Sequence, residues 1–351
     1  MRPAFVPAPL VALALALSTP AVAAPPSPGE PGSTASGPSR RTEGTAAATA
    51  SDSRDPADGT GGADASRTDG VGISPKAATS RRTQTDLAPG PGGRLTWSPR
   101  WGRASWHDAW FLAPAAAVAG VSLFTQKSPP FPSGPVLFDE PLRNAVRPSG
   151  LEDRLRLRAL SDVTLGAAMA WPVLVDALLL AGIIHGSPDV AVQLAVSDVE
   201  AVAFAVSVQF ATAAWVGRER PYGALCTDGT FAADSEQCRS QFSRYRSFFS
   251  GHATAAFASA GLVCVHNAHL PLYGSRGGGA AACGGALVLA LATATLRVSG
   301  DQHWPTDVAT GAAWGLGVGV ALPLLTRYLV PWKPPVDVYA DGSGAGIRGT
   351  F

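Results

Sequence analysis

Two uncharged runs in the second half of the chain, 278–296 and 308–326, set the narrowest limit on its fold. Each approaches the roughly 20 apolar residues that carry a helix across a bilayer. In lipid every backbone N–H and C=O must be satisfied internally, so such segments are helices. Both are rich in Ala and Gly, which lets helix backbones approach closely. Helices are expected at about 107–125, 163–186, 191–216, 252–270, 279–297 and 306–330. The remaining apolar segments are less clean. Asp176 lies deep within one, and Asp198 and Glu200 lie near the start of another. A charge at the bilayer centre costs about 2.5–3.5 kcal/mol on insertion scales, so these groups should face the bundle or sit near an end. Pro172 is expected to kink its helix. A soluble helical domain is the alternative, but it asks for more polar outer faces than the last two segments offer. The expected fold class is all-α, a bundle of five to six mostly membrane-spanning helices.

The chain is not uniform. Residues 1–24 read as a secretory signal: Arg2, then an apolar stretch from Phe5 to Leu17, then Ala21-Val22-Ala23 as small residues for cleavage. An uncleaved anchor is the alternative. Residues 25–99 are rich in Pro, Gly, Ser, Thr and Ala and are expected to be disordered, because they bury too little apolar surface to offset their ordering entropy. The helical domain is placed at 100–333 and a tail at 334–351, where Val336 to Phe351 could pair as a weak hairpin around Asp341-Gly342. A net charge of +1 without a basic face gives no footprint for nucleic acid, so none is expected as a partner.

Cys226 and Cys238 lie in a polar loop, Cys264 and Cys283 in apolar helices. After a secretion signal the loop pair reads as a disulfide, with two free thiols as the alternative. Cys264 and Cys283 read as small core residues. No spacing of Cys or His suits zinc. A loop disulfide favours an outward-facing site. Against it, Lys127, Arg143, Arg147, Arg154, Arg156 and Arg158 in the stretch 126–160 would be retained in the cytoplasm by the positive-inside rule.

Three polar runs border the apolar segments. Gly217-Arg218-Glu219-Arg220-Pro221 closes a helix with two arginines, the best side chains for a bidentate grip on phosphate oxygens. Ser250-Gly251-His252 opens another helix: Ser250 can cap it, Gly251 allows close approach, and the first-turn N–H groups favour an anion. Arg297 is followed by His303 and Asp307, whose spacing of four puts both on one helix face. Asp307 could then hold one imidazole nitrogen of His303 and leave the other nucleophilic.

In order and spacing these runs resemble the type 2 phosphatidic acid phosphatase superfamily, which includes lipid phosphatases, bacterial acid phosphatases and vanadium haloperoxidases. Its pattern is Lys-x6-Arg-Pro, Pro-Ser-Gly-His, then Ser-Arg-x5-His-x3-Asp. The chain matches at Arg220-Pro221, Ser250-Gly251-His252 and Arg297-x5-His303-x3-Asp307. It departs at Phe249, at Leu296 and, more seriously, at Ala213, where a phosphate-binding lysine is expected; Arg218, in the next turn, is the candidate replacement.

The resemblance implies a hydrolase with its active site at the helix ends. His303 would form a phosphohistidine with Asp307 orienting it, and His252 would serve as acid and then base. Arg220, Arg297, Ser250, Gly251 and Arg218 would hold the phosphoryl oxygens, with no metal and no cofactor. The substrate would be a phosphorylated lipid in a bacterial-type cell membrane, phosphatidate or an isoprenyl diphosphate. Vanadate or phosphate would inhibit, and the site would face the periplasm or exterior. A soluble periplasmic acid phosphatase, vanadium-dependent halide oxidation and an inactive scaffold are the alternatives.

Overall fold

The structure, a computed structural model, describes residues 93–105, 108–125, 134–329, 336–341 and 344–349. The expected leader 1–24 and nearly all of the polar segment 25–99 lie outside the described residues.

Helix α1 spans Ala109–Phe124 and α2 Asp139–Val146. Helix α3 spans Leu151–Ala170 and continues with π-type bonding over Trp171–Ile184. Helix α4 spans Pro188–Val216. Three short helices follow in the loop: α5 Gly223–Thr227, α6 Glu236–Arg239 and α7 Gln241–Arg244. Helix α8 spans Gly251–His269, α9 Arg276–Ser299 and α10 Pro305–Pro323, the last continuing as a π-type turn to Tyr328. Strands β1 Val336–Asp341 and β2 Gly344–Gly349 then pair antiparallel.

Local chemistry sets the helix ends. Pro188 and Pro305 stand in first turns, where a missing N–H costs nothing. Gly217, at φ 63°, ends α4 in the left-handed conformation that favours glycine. Ser250 and Ser275 cap α8 and α9 through their side-chain oxygens.

Helix α3 begins at Leu151, well before the expected 163: Arg154 and Ser161 of its first turns are buried, and Arg154 pairs with Asp301. At Pro172 the missing N–H falls where α-type bonding gives way to π-type, and the helix runs on to Ile184.

The core is centred on α8, which packs against α10, α9, α4 and α3. Its buried side chains are mostly small, among them Ala253, Ala256, Ala258 and Ala260. The seam with α10 is closer still. Gly311, Gly315 and Gly319 recur every fourth residue, and a Cβ there would come 2.6, 2.2 and 2.2 Å from the carbonyl oxygens of Ser250, Thr254 and Ala258. Backbone therefore lies on backbone, as small residues allow in helix packing. Cys264 and Cys283 are not separate core thiols: they form a disulfide that ties α8 to α9.

Four helical segments, Leu151–Ile184, Pro188–Val216, Arg276–Ser299 and Pro305–Tyr328, are long and apolar enough to cross a membrane. Only 28%, 33% and 33% of the apolar windows of the first, third and fourth are buried. Their outer faces thus present Leu174, Ile183, Val288, Leu291 and Leu325 outward, a composition that suits lipid. The charges deep within them, Asp176, Asp198 and Glu200, and Arg327 near the end of the last, are buried and paired. Asp176 accepts from Tyr273 Oη (2.7 Å) and Asn267 Nδ2 (3.0 Å), Asp198 pairs with His266 (3.0 Å), and Glu200 and Asp108 share Arg327. Leu95 and Trp97, assigned above to the disordered segment, are buried against this end of the bundle beside Ala177, Ala181 and Tyr328.

Candidate active site

The loop between α9 and α10 carries His303 almost wholly buried. Its Nδ1 lies 2.8 Å from the backbone oxygen of Ser247. A carbonyl oxygen can only accept, so Nδ1 holds the proton and Nε2 keeps a lone pair. Arg220 Nη1 is 3.4 Å from that Nε2. Burial, then the charge of Arg220, pulls the His303 pKa down to about 3, so the imidazole is neutral near pH 7.

Asp307 does not hold the imidazole directly, contrary to expectation; its Oδ2 is 3.9 Å from Nδ1. As the third residue of α10 it reaches back to accept from the Trp304 N–H at 2.9 Å, and it also accepts from Ser247 Oγ. It thereby fixes Ser247, whose carbonyl fixes His303. Arg218 is not a phosphate ligand here. Nη1 donates to Asp307 (2.6 Å) and Thr306 Oγ1 (2.9 Å), and Nη2 to Asp139 (2.5 Å) and the Gly134 oxygen (3.0 Å). Two buried carboxylates have drawn it into the structure beneath the site.

Arg220 and Arg297 converge on a residue the motifs do not name. Gln302 Oε1 accepts from Arg220 Nη1 at 2.9 Å and from Arg297 Nη2 at 3.2 Å. A neutral oxygen thus sets two guanidiniums side by side without cancelling their charge. The Nε atoms of both are buried with no hydrogen-bond partner. Arg297 also donates to Ser161 Oγ (3.0 Å) and Asp162 (3.1 Å).

Helix α8 brings the second imidazole. Ser250 Oγ accepts from the Ala253 N–H at 3.4 Å and caps the helix, so this hydroxyl serves the helix end; Gly251 lies in the first turn beside Gln209. His252 Nε2 is 2.7 Å from Asp162 Oδ1. Burial, then Arg297, lowers the His252 pKa to about 4, while Asp162 opposes the shift.

Two histidines, one with its Nε2 lone pair free of a proton and one held by a carboxylate, thus flank a pair of arginines at a helix N-terminus. A family model described as PAP2 superfamily matches residues 195–331. That segment belongs to the PAP2 superfamily. Neither the curated proteins nor the solved structures contain a match to the chain. Membership supports a phosphatase-type hydrolase activity. The PAP2 segment holds every motif residue: Arg218, Arg220, Ser250, Gly251, His252, Arg297, His303 and Asp307.

Part of the site lies outside the PAP2 segment. Asp139 of α2 and Asp162 of α3 precede it, and neither stood out in the sequence. The signal for Asp162 was present: Arg154, Arg158, Ser161 and Asp162 share one face of a helix once that helix begins at Leu151. Asp301 anchors the same wall. It accepts from Arg143 Nε (2.8 Å), Arg147 Nε (2.7 Å) and Arg154 Nη1 (2.7 Å). Burial alone would raise its pKa; Arg147, Arg154 and Arg143 together bring it below the ordinary carboxylate value. Arg143, Arg147 and Arg154 of the basic stretch that argued for a cytoplasmic loop therefore pack at the site end of the bundle. Cys226 and Cys238 form a disulfide in the loop between α4 and α8 at that end.

Proposed function

We propose that the site hydrolyses phosphomonoester or diphosphate groups of membrane lipids through a phosphohistidine at His303. The observation that carries this reading is the fixed tautomer of His303: the Ser247 carbonyl holds Nδ1–H, which leaves the Nε2 lone pair beside Arg220. In the first step Nε2 forms a bond to phosphorus as the bond to the leaving oxygen breaks. His252 gives that oxygen its proton. In the second step His252 takes a proton from water, the water oxygen bonds to phosphorus, and the N–P bond breaks to release phosphate. Arg220, Arg297 and the Gly251 N–H at the α8 terminus stabilise the charge on the equatorial oxygens.

His252 must be protonated for the first step, and a phosphoryl dianion beside it raises its pKa towards the working range. The substrate's hydrocarbon chains lie along the apolar outer faces of the helices. Two disulfides favour a site on the oxidising side of a bacterial-type membrane, the periplasm or exterior. Of the arginines that argue for the cytoplasm, Arg143, Arg147 and Arg154 are engaged by Asp301. The deciding assay is phosphate release from phosphatidate or an isoprenyl diphosphate by purified protein in detergent with EDTA. His303→Ala should abolish turnover and labelling of the protein by 32P. A variant that still turned over would refute the reading.

A further inference from the structure

Position 213, where the resemblance expects a lysine, holds Ala213, buried on α4 with no charge to offer. Arg218, the nearest cation in sequence, is spent on Asp139 and Asp307. The face of α3 that lines the site supplies another. On that face Arg154 is committed to Asp301 at 2.7 Å, Ser161 and Asp162 hold Arg297, and Asp162 also holds His252. Arg158, between them, is held by one carbonyl and two aromatic rings, the second that of Phe231 at 6.0 Å. Its Nε donates to the Gly300 oxygen at 2.7 Å, and its Cζ lies 5.2 Å from the ring centroid of Tyr222, two residues after Arg220. Gly300 makes room for it: a Cβ there would come 2.9 Å from Arg158 Cγ. The terminal Nη2 is buried and has no hydrogen-bond partner. A buried, unsatisfied guanidinium N–H is costly unless an acceptor reaches it, and a phosphoryl oxygen is the strongest acceptor this site would receive.

We propose that Arg158 is the third phosphoryl-binding cation of this site, taking the place of the lysine absent at position 213. The inference rests on the phosphoryl-transfer reading above. Its ligand class is a phosphoryl dianion or its trigonal-bipyramidal mimic. The Tyr222 face and the Gly300 carbonyl hold the guanidinium plane, and Nη2 donates to an equatorial oxygen opposite the side served by Arg220 and Arg297.

The test uses orthovanadate binding and kcat/KM on the full chain in detergent. Arg158→Met should weaken vanadate binding and lower kcat/KM by about 100-fold, the scale for loss of one transition-state donor. The double variant Arg158→Met with Ala213→Lys should recover at least about tenfold of that loss, since the charge returns from the other wall. A merely structural Arg158 predicts something else: a lower Tm, unchanged vanadate affinity and no recovery by the lysine. That result overturns the proposal alone. Wild-type protein that neither binds vanadate nor releases phosphate overturns the proposal together with the functional reading. Should Arg158→Met not fold, Ala213→Lys in the wild-type background decides. A change under about threefold supports an already filled role, and a gain above about tenfold shows a vacant one and overturns the proposal.

Discussion

Gly315 offers the most quantitative test of how the bundle holds its two histidines. A Cβ at this position would lie 2.2 Å from Thr254 O, 2.9 Å from Thr254 C and 3.0 Å from Thr254 Cα. All three are backbone atoms, so no side chain can rotate away. Relieving the contact requires α8 and α10 to separate by roughly 1 Å, and over-packing of this kind costs about 1–3 kcal/mol. The same shift moves His252, two residues before Thr254 on α8, away from His303 just ahead of α10. A misplacement of about 1 Å at a reacting centre can cost about 100-fold in rate. Gly317→Ala is the internal control: it lies on the same helix, and a Cβ there meets nothing within 4 Å. Because Ala is a better helix former than Gly, that variant should be as stable as wild type or more so. The assay is thermal unfolding in detergent, followed by kcat on a short-chain lipid phosphate. Gly315→Ala should lose Tm and activity together, while Gly317→Ala should lose neither. Equal behaviour of the two variants would show that the glycine seam does not set the site's geometry.

Arg218→Gln leaves Asp139 and Asp307 buried without their shared cation and should destabilise by about 3–5 kcal/mol, read as a fall in Tm. Asp162→Asn removes the carboxylate that raises the His252 pKa, so the limb of the kcat/KM profile set by His252 should move to lower pH; an unmoved limb refutes that role. Stability should also depend on pH. The folded pKa values of about 4 for His252 and about 3 for His303 lie below the unfolded value of about 6.5. The unfolded chain therefore takes up protons first. The contribution of both groups is whole above about pH 6.5 and falls away as the pH drops towards 4. Bound vanadate should blunt that acid sensitivity, which a Tm series with and without vanadate would measure.

Much of the helical order was legible because apolar runs of the right length leave the chain few choices. The end of α4 and the start of α8 followed from the run Gly217 to Pro221 and from Ser250. Hydropathy failed at α3, whose first turns carry Arg154, Arg156 and Arg158 and read as loop. Arg154 meets Asp301 and Arg158 meets the Gly300 carbonyl, partners that only the folded chain brings near. The motif residues were visible as an ordered set, but their hydrogen bonds were not. Spacing of four suggested an Asp307–His303 contact, whereas the carboxylate is claimed by the Trp304 N–H, Ser247 and Arg218. Nor could sequence show that Ser247 would hold His303 by its carbonyl. The pairing of Cys264 with Cys283 was missed for a similar reason: it depends on how α8 and α9 face one another.

Helix α3 carries four site groups on one rigid rod. Arg154 braces Asp301, Arg158 binds the Gly300 carbonyl, Ser161 and Asp162 hold Arg297, and Asp162 holds His252. They cannot be adjusted one at a time. A slide of α3 by a single residue step, about 1.5 Å along its axis, would slacken the arginine grip and the imidazole's support in the same stroke. The wall and the chemistry are mechanically ganged, so this site engages its ligand as a unit.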